Sequence, residues 1–218
     1  MNSSAILNQL KQVNPDAAAK VTSKVINRYI SEAHSTRGLP GLCAVDDFLE
    51  KEAADKLLDY AVTNEQHFAD AKQSNRRAQI MWHYVKDPDL FKEVAKAIAD
   101  RAKQLGYEWT RYIEIQLTCS KNGDYFGPHW DVGYKSGLKR TLSYVYYLFN
   151  DANWEGGQLQ FGNISVEPKH NQLVMFNPCA KHEIVPLKCG DAWAQNRFTF
   201  NGWFHQHPDK GTIDLEAN

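Results

Sequence analysis

The sequence predicts an α+β protein in which helices come first and a double-sheet jelly roll follows. Three observations carry that expectation. Two stretches, 51–64 and 88–105, repeat apolar residues at helical spacing. From about residue 109 to 205 the pattern changes to short β-rich runs separated by Gly, Asn, Pro and Asp clusters. With 218 residues, 43% of them hydrophobic, the chain is long enough to bury a sizeable core.

Residues 1–40 are expected to form a separable helical extension. Asn14, Pro15 and Asp16 offer an N-cap, a first-turn proline and an early acid, and Val21, Val25 and Tyr29 lie on one stripe. The segment holds five basic and two acidic residues and suits packing on the domain, with binding of a partner or homodimerisation through these helices as the alternatives. Gly38, Leu39, Pro40 and Gly41 then break the chain, and 41–218 are expected to form the main domain.

In the helix over 51–64, Ala53, Leu57 and Ala61 share a face. In that over 88–105, which starts at Asp87-Pro88 and stops at Gly106, the face holds Leu90, Val94, Ile98 and Ala102. Both read as amphipathic covers for a sheet. QIMWHYV at 79–85 is a candidate extra strand. The core strands are TRYIEIQLTC, RTLSYVYYLF, GQLQF, QLVMF, EIVPL and RFTFNGWF.

Composition narrows the function. The 25 basic and 26 acidic side chains give a net charge of −1, which argues against nucleic acid as the main partner. No run reaches the ~20 apolar residues of a membrane span, and the N-terminus lacks a secretory pattern, so a cytoplasmic protein is expected. Cys43, Cys119, Cys179 and Cys189 show no C-x-x-C pair and read as unpaired thiols.

PHWDVG at 128–133 is the first candidate for chemistry. On a strand, His129 and Asp131 would point the same way and reach one ion. Alone, such a tripeptide is weak. His182, 51 residues after Asp131, offers a second imidazole from another strand. Two histidines and one carboxylate leave open positions on an ion, as non-haem Fe(II) oxygenases require. Arg197 follows with Thr199 on the same strand face, a pairing suited to a buried carboxylate.

PHWD, RTLSYVYYL, WEGGQLQF, QLVMFNPCAKHEIVPL and RFTFNGWF, in that order over roughly residues 109–205, resemble the catalytic core of the prolyl 4-hydroxylase-like 2-oxoglutarate/Fe(II) dioxygenases. The resemblance implies a cupin-like double-stranded β-helix. It implies His129, Asp131 and His182 as metal ligands, with no catalytic side chain beyond them. It implies Arg197, Thr199 and Tyr147 for the distal carboxylate of 2-oxoglutarate. Ser143 and Val145 share the face of Tyr147, while Tyr144 and Tyr146 point away towards the helices. Leu159 forms an apolar wall, and Trp154 with Gly156-Gly157 matches a W-x-G-G turn.

The implied cofactors are Fe(II), 2-oxoglutarate as cosubstrate and O2, with ascorbate as an accessory reductant. The implied reaction hydroxylates an unactivated C–H bond on a prolyl or other amino-acid residue of a protein or peptide, releasing succinate and CO2. The carboxylate of Asp131 disfavours halogenation, which in relatives needs a small residue there. A cupin-like metalloenzyme without 2-oxoglutarate would not need Arg197, and a non-catalytic peptide-binding sandwich would show an eroded ligand set. VGYKSGLK at 132–139 and KCGDAWAQ at 188–195 are candidate rims or lids, or solvated turns. His205 and His207 are expected at the surface, and His34, His67, His83 and His170 lack ligand context.

Overall fold

The computed structural model describes residues 41–107, 110–132, 140–150, 154–209 and 211–217. The helices expected before residue 41, and most of the candidate lid 132–139, lie outside them.

The helices sit close to where the apolar period put them. Helix α1 spans Lys51–Thr63 and buries Ala54, Leu57, Leu58 and Ala61. Helix α2 spans Pro88–Gln104 and buries Phe91, Val94, Ala95, Ile98, Ala99 and Ala102. Proline at its first turn removes an amide that would have no helical partner, and Arg101 and Lys103 complement the dipole at its end. Gly106, at φ 81°, turns the chain out. Leu90, expected on the buried face, is only partly buried, and its neighbour Phe91 takes the core position.

The strands are β1 (Cys43–Val45), β2 (Ala69–Asp70), β3 (Arg76–Arg77), β4 (Gln79–Trp82) and β5 (Tyr112–Ser120). They continue with β6 (Tyr125–His129), β7 (Arg140–Leu148), β8 (Glu155–Gly156), β9 (Leu159–Phe161) and β10 (Ile164–Val166). The last are β11 (Gln172–Phe176), β12 (His182–Ile184), β13 (Leu187–Lys188), β14 (Arg197–His205) and β15 (Thr212–Asp214). The larger sheet runs β1-β11-β7-β14-β5-β4-β2, with β15 on β5, the smaller facing sheet runs β10-β9-β12-β6-β3, and β13 pairs with β8 in a two-stranded ribbon. Two facing antiparallel sheets with non-sequential neighbours make a jelly-roll-type core.

Alternation along the strands of the larger sheet assigns its two faces. Leu142, Tyr144, Tyr146 and Leu148 of β7, Phe198, Phe200 and Phe204 of β14, and Ile113, Ile115, Leu117 and Cys119 of β5 pack with the helices in one apolar cluster. The other face carries Tyr147 and Val174 into a second cluster with Leu159, Phe161, Val166 and Phe176. That inner face is also where the polar positions fall: Thr118, Ser120, Ser143, Arg197 and Thr199 are all buried. A sheet whose helix side is apolar and whose inner side is polar has room for a site between its layers.

Two places differ from expectation. The segment 188–195 is no rim: Trp193 packs edge-on against Phe68 and Phe198, and no residue of 188–195 lines the cleft. His205 is buried at 2% exposure, because β14 continues one residue past the apolar run and its ring meets Glu114. The four cysteines are free thiols.

Candidate metal centre

His129 is the last residue of β6 and His182 the first of β12, and the two face each other as cross-strand partners. Asp131 lies beyond the strand in its exit loop, its N–H donating to Pro178 O at 3.1 Å. The pair therefore converges by a strand end and an anchored loop, not by sharing a strand face. His129 Nε2 lies 3.5 Å from Asp131 Oδ1, and His182 Nε2 lies 3.4 Å from Asp131 Oδ2. One donor atom from each of the three residues falls within 4.8 Å of the others, a spacing that could hold one metal ion.

The second nitrogen of each ring is already committed. His129 Nδ1 donates to Gly127 O at 2.8 Å and His182 Nδ1 to Ala180 O at 2.9 Å. That tautomer leaves both Nε2 lone pairs facing Asp131, the orientation metal-binding histidines need. Phe126 stacks on His129 with ring centroids 3.6 Å apart, and Phe161 and Phe176 enclose His182. Burial disfavours the charge of Asp131, but His182 and His129 beside it outweigh that and hold its carboxyl far below the ordinary range. Burial pushes His182 down, favouring the neutral, ligating form.

Behind the triad stands a support layer. Ser143 Oγ donates to Asp131 Oδ2 at 2.7 Å, so this serine is turned to the carboxylate and is not part of the cleft lining. Arg140 donates to the Asp131 carbonyl at 3.2 Å and to Glu114 Oε2 at 3.0 Å, lies 3.5 Å above the Trp203 ring, and shares Glu114 with His205. No sequence pattern shows this network, because its members lie up to 91 positions apart and the β5–β14–β7 pairing brings them together.

The cleft between the sheets holds about 600 Å³ of atom-free space, part of it open to solvent. Of the residues singled out in the sequence, His129, Asp131, His182, Arg197, Thr199, Tyr147, Val145 and Leu159 all line it. Thr199 and Tyr147 are paired across β14 and β7. Arg197 is buried; it donates to Ser120 Oγ at 3.2 Å and to the Gly157 carbonyl, and its guanidinium carbon stands 5.7 Å from the centre of the Tyr147 ring. Gly156 and Gly157 both take positive φ, at 78° and 69°, which brings that carbonyl to the arginine.

Two buried donors here have no acceptor among the described residues: Tyr147 Oη and Arg197 Nε. Burial pushes the Tyr147 phenol up to about 12, against the opposing effect of Arg197, so it is a donor at neutral pH. Burial also lowers Arg197 from its ordinary value. A buried cation beside a buried unsatisfied hydroxyl is costly unless an anion completes it. The donor set fits a carboxylate, and the nearby triad of two imidazoles and one carboxylate fits an oxygenase metal with open positions. The cleft also holds Arg76, Thr118, Phe126, Asn201 and Trp203, none of which stood out in the sequence.

Comparison with known proteins agrees with this geometry. Residues 115–205 match the sequence profile of the 2OG-Fe(II) oxygenase superfamily. An uncharacterized PKHD-type hydroxylase from Synechocystis is 26% identical over 196 residues, an alignment covering 77% of this chain and 64% of the relative, so the chain spans less than two thirds of it. A prolyl-4-hydroxylase from Pseudomonas putida superposes with a TM-score of 0.59 at 21% identity, covering 83% of this chain and 99% of that one. A prolyl hydroxylase from Trichoplax adhaerens, in complex with a hypoxia inducible factor oxygen degradation domain peptide, gives 0.61 at 19% identity over 84% and 90%. At these identities the structural matches establish the fold.

Proposed function

We propose that this chain, whose residues 115–205 match the profile of the 2OG-Fe(II) oxygenase superfamily and whose fold resembles that of prolyl hydroxylases, is a 2-oxoglutarate-dependent hydroxylase acting on an amino-acid residue of a protein or peptide. His129, Asp131 and His182 hold Fe(II). Arg197 and Tyr147, with Thr199 beside them, take the distal carboxylate of 2-oxoglutarate. Bound Fe(II) with 2-oxoglutarate and O2 supplies oxidative decarboxylation to succinate and CO2, coupled to hydroxylation of a C–H bond.

The chain's own work is positional. The Nδ1 bonds to Gly127 and Ala180 present the ring nitrogens, and Ser143 and Arg140 keep Asp131 in place. Leu159, Phe176 and Val145 give the cleft an apolar wall that restricts water. The observation that carries the proposal is the pair of unsatisfied buried donors, Tyr147 Oη and Arg197 Nε, in the same cleft as the triad. A metalloenzyme with no anionic cosubstrate would have no use for them. A prolyl or other aminoacyl substrate is supported by the two prolyl hydroxylases that share the fold, one of them bound to a peptide.

The test is succinate formation from 2-oxoglutarate by the Fe(II)-loaded protein, screened against proline-containing peptides with hydroxylation followed by a mass gain of one oxygen. Peptide-stimulated succinate that disappears in His129→Ala and Asp131→Ala is expected. Activity retained in both variants would overturn the site.

A further inference from the structure

Arg76 is a second buried guanidinium in the cleft, and the oxygenase reading leaves it without a task. It lies on β3 opposite Phe126 of β6, on the edge of the smaller sheet that carries His129. Its Nη2 donates to Thr118 Oγ1 at 3.0 Å, so it bridges to the larger sheet, and its guanidinium stands 5.0 Å from the Phe126 ring centre. Thr118 in turn donates to Asn201 Oδ1 at 2.7 Å. Only 9% of Arg76 is exposed. The adjacent Arg77 faces out and pairs with Asp124 at 2.9 Å, whereas no carboxylate of the described residues lies within ion-pair distance of Arg76.

The electrostatic surroundings agree. Burial lowers Arg76 to about 10, Asp131 raises it and Arg197 lowers it, so it still carries its charge at neutral pH and senses both halves of the site. A divalent ion, Asp131 and Arg197 together balance the two carboxylates of 2-oxoglutarate. The charge of Arg76 is left over. A desolvated guanidinium with one hydroxyl partner is matched best by a carboxylate, which can accept two parallel N–H bonds.

Resting on the oxygenase reading, we propose that Arg76 binds a carboxylate of the primary substrate, so that the peptide presents an acidic side chain or its C-terminal α-carboxylate in the cleft. The same chemistry could instead come from 2-oxoglutarate itself, as a second hold on the cosubstrate, and the two sources are separable.

The full chain, loaded with redox-inert Zn(II) and saturating 2-oxoglutarate, is titrated with N-acetylglycine and with its neutral analogue N-acetylglycinamide, using ligand-observed NMR. The wild type is expected to bind the acid at least tenfold more tightly than the amide. Arg76→Gln loses that preference, Arg76→Lys keeps part of it, and 2-oxoglutarate affinity stays within about threefold of wild type in both. Equal binding, or no binding, of acid and amide by the wild type overturns the proposal without relying on any variant. A tenfold or greater loss of 2-oxoglutarate affinity in Arg76→Gln, with thermal unfolding unchanged, assigns the arginine to the cosubstrate and overturns it too. If the wild type binds no 2-oxoglutarate at all, the oxygenase reading fails first.

Discussion

Replacing Gly157 with alanine should strike the Arg197 end of the cleft, the proposed cosubstrate half, without touching the histidine–aspartate triad. A Cβ added there would sit 2.8 Å from Arg197 Nη1 and 3.1 Å from Leu187 Cδ1 and from the Trp154 ring, on a residue whose φ is 69°. The left-handed conformation costs an alanine about 1–2 kcal/mol. In a chain of this size, about 1 kcal/mol lowers Tm by ~2–4 °C, which sets the expected drop at ~2–8 °C. The guanidinium must also move off the Gly157 carbonyl. Shifted off that anchor, the guanidinium should lose a hydrogen bond to the cosubstrate carboxylate; one such bond from a charged group is worth about 1.5–3 kcal/mol, or roughly 10- to 150-fold in 2-oxoglutarate affinity. Fe(II) affinity should hold, because Gly157 is neither a ligand nor a support of one. The assays are an anaerobic 2-oxoglutarate titration of the Fe(II) protein and a thermal melt. A melt lowered as expected with 2-oxoglutarate affinity within twofold of wild type would refute the link between this turn and Arg197.

Three further outcomes are expected. Ser143→Ala removes the 2.7 Å bond to Asp131 Oδ2 and should weaken Fe(II) binding about 10- to 100-fold, measured by competition with a chromophoric chelator. Tyr147→Phe removes an unsatisfied donor, so the protein should stay at least as stable while 2-oxoglutarate affinity falls roughly tenfold; an unchanged affinity would show that the hydroxyl does not meet the cosubstrate. Arg111 holds the Asp214 carboxyl below its ordinary range, so this pair's contribution is present above the usual carboxylate pKa and is lost as pH falls through the depressed one. The melting difference between wild type and Asp214→Asn should thus be constant above about pH 5 and vanish in strong acid.

Much of this was legible in the sequence, for identifiable reasons. The alternation in RTLSYVYYLF is set by the pleat, so with Tyr147 placed at the site by the resemblance, Tyr146 falls on the helix side, and in RFTFNGWF Thr199 shares the cleft face of Arg197. The spacing of His129, Asp131, His182 and Arg197 is local enough in the chain to survive as motif. The mode of convergence was not legible: Asp131 reaches the histidines from a loop pinned by Pro178, a contact no strand pattern encodes. Arg76 went unnoticed because β3 is two residues long and too short to show a period. His205 was misplaced because its burial depends on Glu114, a partner on a neighbouring strand.

The most direct test of the central claim is the anaerobic titration of the Fe(II)-loaded wild-type protein with 2-oxoglutarate, following the weak visible metal-to-ligand charge-transfer absorption of the chelate. A saturable band is expected in the wild type, absent in His182→Ala and shifted to much higher 2-oxoglutarate concentration in Arg197→Ala. Fe(II) bound by the wild type with no such band at any 2-oxoglutarate concentration would contradict it.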